Sequence, residues 1–500
     1  MKKFPYFLLS LILLSAAFFR LSGIGWGLPN AEHHWSYRVD ESTFLLMLGE
    51  MDPAHGDFVA ESIGPKVGAG LTYMIGALLL TAKTFGYVQF ANSTDFFIEH
   101  PEMLTRIYLL SRLLVALMGI GSVFIVFDLG RRLFDKKTAL AAAALLAVWP
   151  GHVQNSHFIL ADVPGGFLAL VAYAAGSRAL ASSSRFPLFL SVLFSAAAVA
   201  TKLSTALIVF PLIFLPFFGR MNRPYQKAVL WGTSFFLFLF LFHPALWNFS
   251  AVSSDTGTVS RNVLRFGRDP FRAINLGIYW NTGLLGSLAL LLGLFRIIRR
   301  RCASDILLFL SLAPLTLFLV FSGQDRGQLY SPLCGFGSLL IAGLLHKPRS
   351  WRCLRFLLVC LVFLEMALGS AAWTKELNRA PIHEVARREI EATVPSGESI
   401  GFIQWFFIPH LDTRRYQMVR LTSPLRTPLA RCDWVIVADY DIDFLSKALQ
   451  SDFTLERIWK RTPSFLGFSY DPPNGADQRF PFPTLFLFRR QTEETTPAAP

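Results

Sequence analysis

Apolar runs of about 20 residues recur along most of this chain, and they constrain its fold more than any other feature. In hydrocarbon every backbone N–H and C=O needs a partner within the protein, so such runs fold as helices. They lie at 106–129, 138–155, 163–180, 186–201, 203–219, 228–247, 276–298, 304–322, 327–345 and 354–373. With the apolar N-terminal segment they make eleven spans. Charged residues are 16% of the 500, against about 25% in a soluble globular chain. The predicted class is a polytopic α-helical membrane protein with about 11–13 transmembrane helices.

The net charge of +13 does not point to nucleic acid. Much of it sits in short clusters between apolar runs, where lysine and arginine mark cytoplasmic loops. These clusters are "RRLFDKK" (131–137), "SRALASSSR" (177–185), "GRMNRPYQK" (219–227), "RIIRRR" (296–301) and "HKPRSWRCLR" (346–355). The N-terminal "MKKFPYFLLSLILLSAAFFRL" begins like a signal peptide, but Arg20 and its bulky neighbours replace a small-residue cleavage site. It reads as an uncleaved first helix with a cytoplasmic N-terminus. Alternation then places 29–105, 156–162, 248–275, 323–327 and everything after 374 outside. The stretch 66–90 is long enough to cross, yet a lone crossing there would invert every later cluster. It is expected to lie within the first outer loop as a juxtamembrane or re-entrant segment. The five cysteines form no CxxC pair and support neither a disulfide framework nor a metal site.

From about 375 the chain changes character. "KELNRAPIHEVARREIEATVP" has helical periodicity, and "SIGFIQW", "RYQMVRL", "DWVIVADYD" and "TLFLFRR" are short β-type runs between Pro, Gly and Asp. The expected organisation is a membrane domain over 1–374, a small extracytoplasmic α/β domain over 375–490, and a disordered tail over 491–500.

The candidate chemistry lies in the outer loops. "SYRVDESTFLLMLGEMDP" (36–53) places Asp40 and Glu41 side by side before an amphipathic helix, with Ser42 or Thr43 near its cap. A solvated loop explains acidic residues equally well on composition alone. At the membrane surface, however, the pair can deprotonate a hydroxyl or hold a divalent cation. Asp162 in "NSHFILADVPGGF" lies on the same side and at the same depth; a helix cap is its bland reading. His157 is near enough in sequence to bond to either acid. Lys66, Lys202 and Arg326 are outer basic residues, and a lone cation at a helix end usually snorkels. Lys202 and Arg326 break the positive-inside trend, as a phosphate site would require. Tyr330 follows Arg326 by four residues, which puts both on one helix face. His243 lies at another outer helix end. There is no Walker A motif, no HExxH and no nucleotide-sugar fingerprint.

With these residues in view, "FFRLSGIGWGLP", "YRVDESTF", "SHFILAD", "DLGRRLFDKKTALAAAALLA", "ATKLSTALIVFPL" and "RGQLYSPLCGFGSLLIAGLL" together resemble bacterial GT-C glycosyltransferases. The likeness is to relatives of the dolichyl-phosphate-mannose protein mannosyltransferases (glycosyltransferase family 39) and of the aminoarabinose lipid A transferases. It covers roughly residues 15–345. It implies an inverting transferase in a bacterial inner membrane, with its site and C-terminal domain outside. A polyprenyl-phosphate sugar would be the donor; the acceptor would be a protein, lipid or glycan. Asp40 matches the catalytic carboxylate, Glu41 its neighbour and Asp162 the second acid. Asp40 and Asp162 would also be the ligands of a divalent cation such as Mg or Mn. Lys66, Lys202, Arg326 and Tyr330 would hold the donor phosphate, with His157 and His243 accessory. Here Lys66 stands in "GPKVG", and Arg326 and Tyr330 are separated where the family often has "RY". The rival readings are a transporter or lipid flippase, which would bury ionisable groups at mid-membrane, and an inactive assembly partner.

Overall fold

The computed structural model of the protein describes residues 4–52, 55–60, 68–91, 93–181, 185–218, 222–247, 269–300, 303–324, 326–346, 351–422, 426–442, 449, 452–471 and 481–491. Among these, six helices are long and apolar enough to cross a membrane: Phe4–Leu21, Pro101–Leu133, Asp162–Leu180, Pro224–Phe242, Gly327–Leu345 and Cys353–Thr393. A seventh is the pair Pro270–Thr282 and Leu284–Arg300, bent by 105°. Three shorter apolar helices, Arg185–Thr201, Leu203–Phe217 and Asp305–Phe321, pack among them. The polytopic helical class stands. Full-length helices are fewer than the eleven apolar runs because several runs are interrupted.

The run 138–155 shows why. Pro150 cannot donate a backbone hydrogen bond, and the run breaks into Lys136–Ala147 and Pro150–Asn155. The break frees the carbonyls of Leu146 and Ala147. Arg20, fully buried at the end of the first helix, donates to both at 2.9 Å. The bend at Gly283 is held in a complementary way. Its φ of +81° suits glycine, and a Cβ there would lie 2.4 Å from the carboxyl carbon of Glu365. That carboxylate accepts from the N–H groups of Leu284, Leu285 and Gly286 at 2.8, 2.9 and 3.2 Å. Glu365 thus caps the orphan donors of a helix N-terminus inside the bundle.

The helix Gly70–Thr84 has 15 residues, so it is about 22 Å long, short of a hydrocarbon core of about 30 Å. Its Leu71, Ile75 and Leu79 pack against Phe44, Ile107, Tyr108 and Ile159. It lies beside the helix Asp40–Glu50 that carries the acidic pair.

After residue 377 come the helix Ile382–Thr393 and a five-stranded sheet. The spatial strand order is Gln417–Arg420, Ser399–Phe402, Trp434–Ala438, Leu485–Arg490 and Phe453–Trp459. Ser399–Phe402 runs parallel to both its neighbours, and Leu485–Arg490 is antiparallel to both of its own. Ile382, Ala386 and Ile390 bury one helix face on Ile400, Trp434 and Ile436. Four of the strands coincide with the β-type runs read from sequence. The fifth, Phe453–Trp459, is a sheet edge whose middle residues are exposed. An aromatic cluster of Trp26, Tyr37, Phe158, Trp373, Tyr470 and Phe482 fastens this region to loops and a helix end of the helical part.

Candidate active site

Asp40 and Glu41 occupy the first turn of the helix Asp40–Glu50, where the backbone dipole favours carboxylates. The helix starts two residues before the expected cap, and Ser42 Oγ instead donates back to the Val39 carbonyl at 2.7 Å. Successive side chains on a helix diverge by about 100°, and the two acids meet opposite environments.

Glu41 turns inward. It forms a fully buried pair with Arg112, which donates from Nε at 2.8 Å and from Nη2 at 2.6 Å. Ser36 Oγ and the Ile159 N–H complete its shell at 2.5 and 2.9 Å. Arg112 also donates to the carbonyls of Ile24 and Trp26 at 2.8 and 2.7 Å. One carboxylate therefore ties together the loop after the first helix, the helix Pro101–Leu133 and the loop before Asp162. It has no face left for a substrate.

Asp40 turns outward and keeps 40% of its side chain exposed. Arg38 Nη2 lies 3.4 Å from its Oδ2. Arg38 is itself buried, donates to Gln328 Oε1 at 2.6 Å, and stands 5.7 Å from the centre of the Phe158 ring. Asp162 opens the helix Asp162–Ala181 and is buried. The Lys202 ammonium lies 3.0 Å from its Oδ1 and donates to Oδ2 at 3.2 Å. The charges of Asp40 and Arg38 also act on Asp162. The structure thus sets two ion pairs, Arg38 with Asp40 and Lys202 with Asp162, near enough for their charges to act on one another. Asp40 is the member whose carboxylate reaches solvent.

The other expected site residues fall elsewhere. Lys202 is not a free cation for phosphate, because Asp162 engages it. His157 does not reach either acid. Its ring nitrogens face the carbonyls of Val153 and Ser22 at 2.8 and 3.0 Å, and burial pushes its pKa down to about 4. Arg326 is exposed, whereas Tyr330 is buried with its hydroxyl toward the carbonyls of Gln324 and Ala273. The two do not share a face, because the segment Gly327–Leu333 is a 3-10 helix. His243 is buried at the end of the helix Pro224–Phe242. Lys66 lies outside the described residues.

For a divalent cation the described residues offer two carboxylates, each already facing a basic side chain. No group of three or more metal-capable side chains occurs among them. A hard cation such as Mg²⁺ keeps several waters and is held by one or two carboxylates plus substrate phosphates, so Asp40 and Asp162 are the carboxylates that would hold one, each giving up its basic neighbour.

Arg38 and Arg112 escaped the sequence reading. Arg112 had a signal: it is an arginine inside the apolar run 106–129, a costly placement that demands a partner.

Residues 106–247 match the family described as dolichyl-phosphate-mannose-protein mannosyltransferase. In fold the chain is similar to ArnT from Cupriavidus metallidurans in the apo state, with a TM-score of 0.50, 12% identity, and coverage of 97% of this chain and 98% of that one. The oligosaccharyltransferase of Archaeoglobus fulgidus, solved with Zn and sulfate, aligns with a TM-score of 0.49 and 14% identity over 88% of this chain and 69% of that one. A search of curated protein sequences gives no match. The chain resembles GT-C membrane glycosyltransferases in this segment and in its fold.

Proposed function

We propose that the protein is an inverting membrane glycosyltransferase that moves a sugar from a polyprenyl-phosphate donor to an acceptor hydroxyl, outside the cytoplasmic membrane of a bacterium. The observation that carries this reading is the contrast between the two acids. Buried Glu41 locks the loop, and exposed Asp40 is left as the reachable base. Asp40 takes the proton from the acceptor hydroxyl. The acceptor oxygen then attacks the anomeric carbon from the face opposite the leaving group. The carbon–oxygen bond to the polyprenyl phosphate breaks, and the phosphate departs with the electron pair. Asp162, held by Lys202, orients the acceptor or the base, and Arg38 is the buried cation nearest the reacting atoms. Preorganised charges of this kind act without reorganisation cost at the moment of reaction.

A transporter would keep ionisable groups available along its path. Here Asp128 is taken by Arg131, Arg132 and Arg178, Asp305 by Arg296, and Glu365 by a helix N-terminus. These acids serve architecture, which favours the enzyme. The test is incubation of the purified protein in nanodiscs with a labelled polyprenyl-phosphate sugar and cell-envelope acceptors. Label in a new glycosidic bond of inverted configuration supports the reading. Intact donor with no new glycosidic bond, together with donor carried across the bilayer by the same protein in sealed proteoliposomes, contradicts it.

A further inference from the structure

Arg38 stands between two acceptors and gives the shorter bond to the weaker one. Its Nη2 lies 2.6 Å from Gln328 Oε1 and 3.4 Å from Asp40 Oδ2. A guanidinium beside a carboxylate usually closes to about 2.7–2.9 Å, and often binds it through two nitrogens. Here a neutral amide oxygen takes the short bond, and the carboxylate is left with the long one. The guanidinium is held off the acid.

Gln328 is placed to do the holding. It lies in "RGQLYSP", between Arg326 and Tyr330, and its amide oxygen is the acceptor that this segment offers Arg38. The 3-10 helix Gly327–Leu333 that carries it is pinned at two points. Asn281 Nδ2 donates to the Gly327 carbonyl at 3.0 Å, and Asn155 Nδ2 donates to Ser331 Oγ at 2.6 Å. Pro332 packs on the helix that opens with Asp162, where a Cβ at Gly166 would lie 2.8 Å from Pro332 Cα. Gln328 therefore reaches Arg38 from a fixed backbone. Arg38 is itself only 3% exposed, with the Phe158 ring on its guanidinium. Asp40 alone of the three opens to solvent.

The separation matters for proton transfer. A cation close to a carboxylate favours its charged form and weakens it as a base. A direct bond from Arg38 would also occupy a lone pair that the acceptor hydroxyl needs. We infer that Gln328 is a positioning residue, which restrains Arg38 so that Asp40 stays open to the acceptor hydroxyl while the positive charge stays near the reacting atoms. The inference rests on the reading of Asp40 as the base.

The experiment is the pH dependence of kcat/KM for the donor, whose acidic limb reports the base of the free enzyme. It uses the full-length protein in nanodiscs, with one labelled polyprenyl-phosphate sugar and one acceptor preparation throughout, so that substrate ionisations are common to all variants. Gln328→Met keeps the shape and removes the acceptor. Gln328→Asn keeps an amide but draws it back by one methylene. In both, Arg38 closes on Asp40, and the acidic limb moves to lower pH by about 1 unit, the low end for a close cation because Asp40 is half-exposed. The plateau falls, since the base is weaker. Gln328→Glu bonds Arg38 more firmly and adds a negative charge, so the limb moves to higher pH. A residue that only braced its own helix would lower the rate and leave the limb in place. The inference is overturned if the limb of the folded Met or Asn variant stays at its wild-type position or moves to higher pH, or if Gln328→Glu does not raise it. Asp40→Asn keeps the two readings apart. If it still transfers sugar, the base is wrongly assigned; if it fails while the limb is the same in every Gln328 variant, only the role of Gln328 falls.

Discussion

Replacing Glu41 by Gln tests how the reaction centre is held. The carboxylate and Arg112 are both at 0% side-chain exposure. Glu41 accepts four hydrogen bonds, from Ser36 Oγ, Arg112 Nε, Arg112 Nη2 and the Ile159 N–H. An amide of the same shape still accepts at one atom. At the other it presents N–H donors to the Arg112 guanidinium. The guanidinium then keeps the neutral carbonyls of Ile24 and Trp26 but loses its counter-charge. Removing one partner of a buried ion pair costs about 3–5 kcal/mol, a large share of a total stability of about 5–15 kcal/mol. The assay is thermal unfolding of the purified variant, followed by tryptophan fluorescence. Adding Arg112→Met removes the stranded charge and recovers much of the loss, since an apolar replacement of the whole pair is often near neutral. In sugar transfer, Glu41→Gln lowers kcat without abolishing turnover, because Asp40 remains the base. A stability change under about 1 kcal/mol, the size seen at exposed sites, would refute the structural role. Loss of transfer as deep as in Asp40→Asn, in a variant that still folds, would make Glu41 itself the base.

Three further outcomes follow from the same geometry. Asp162→Asn and Lys202→Met are expected to be non-additive in transfer, with a coupling of about 0.5–3 kcal/mol from a double-mutant cycle; simple additivity would separate the two residues. Burial raises the pKa of Asp441 to about 6, and Asp439 adds to the rise while the Gln404 bond opposes it. A raised carboxyl favours folding below its unfolded value, and that stabilisation is lost as pH rises through about 6. Asp441→Asn, which keeps the acceptor for Gln404, therefore raises the unfolding midpoint at about pH 7 and leaves it little changed at about pH 4; equal shifts at both would contradict this. In a cysteine-free background, a cysteine at 135 is expected to resist a membrane-impermeant thiol reagent in intact cells and one at 440 to label; the reverse pattern would invert the topology.

Much of this architecture was legible in the chain. Apolar length marked the helices, and alternating runs marked four of the five strands, because each pattern follows from which face must be buried. The strand Phe453–Trp459 carries charges along an exposed edge, so its pattern gave no burial signal. At the site, the acidic pair was visible, but the opposite fates of Asp40 and Glu41 were not. Those fates depend on Arg112, which lies 71 residues away in sequence. Lys202 stood out as a cation at a helix end, but its pairing with Asp162, 40 residues away, could not be read from the chain. His157 stands beside the acids in sequence, but its ring turns to two backbone carbonyls. Arg38 lay within the "YRVDE" stretch itself and drew no notice, since a basic residue beside acids reads as surface charge.

The central claim is that Asp40 is the base, and an amide at that position tests it most directly because it cannot accept the proton. Asp40→Asn is nearly isosteric, and Asp40 sits half-exposed outside the buried network, so folding should survive. The measurement is sugar transfer from a polyprenyl-phosphate donor in nanodiscs, with protein amounts matched by immunoblot. The rate is expected to fall by about 10² to 10⁴, while Asp52→Asn and Asp57→Asn, at exposed positions of the same loop, stay close to wild type. Transfer by Asp40→Asn at the wild-type rate would contradict the account.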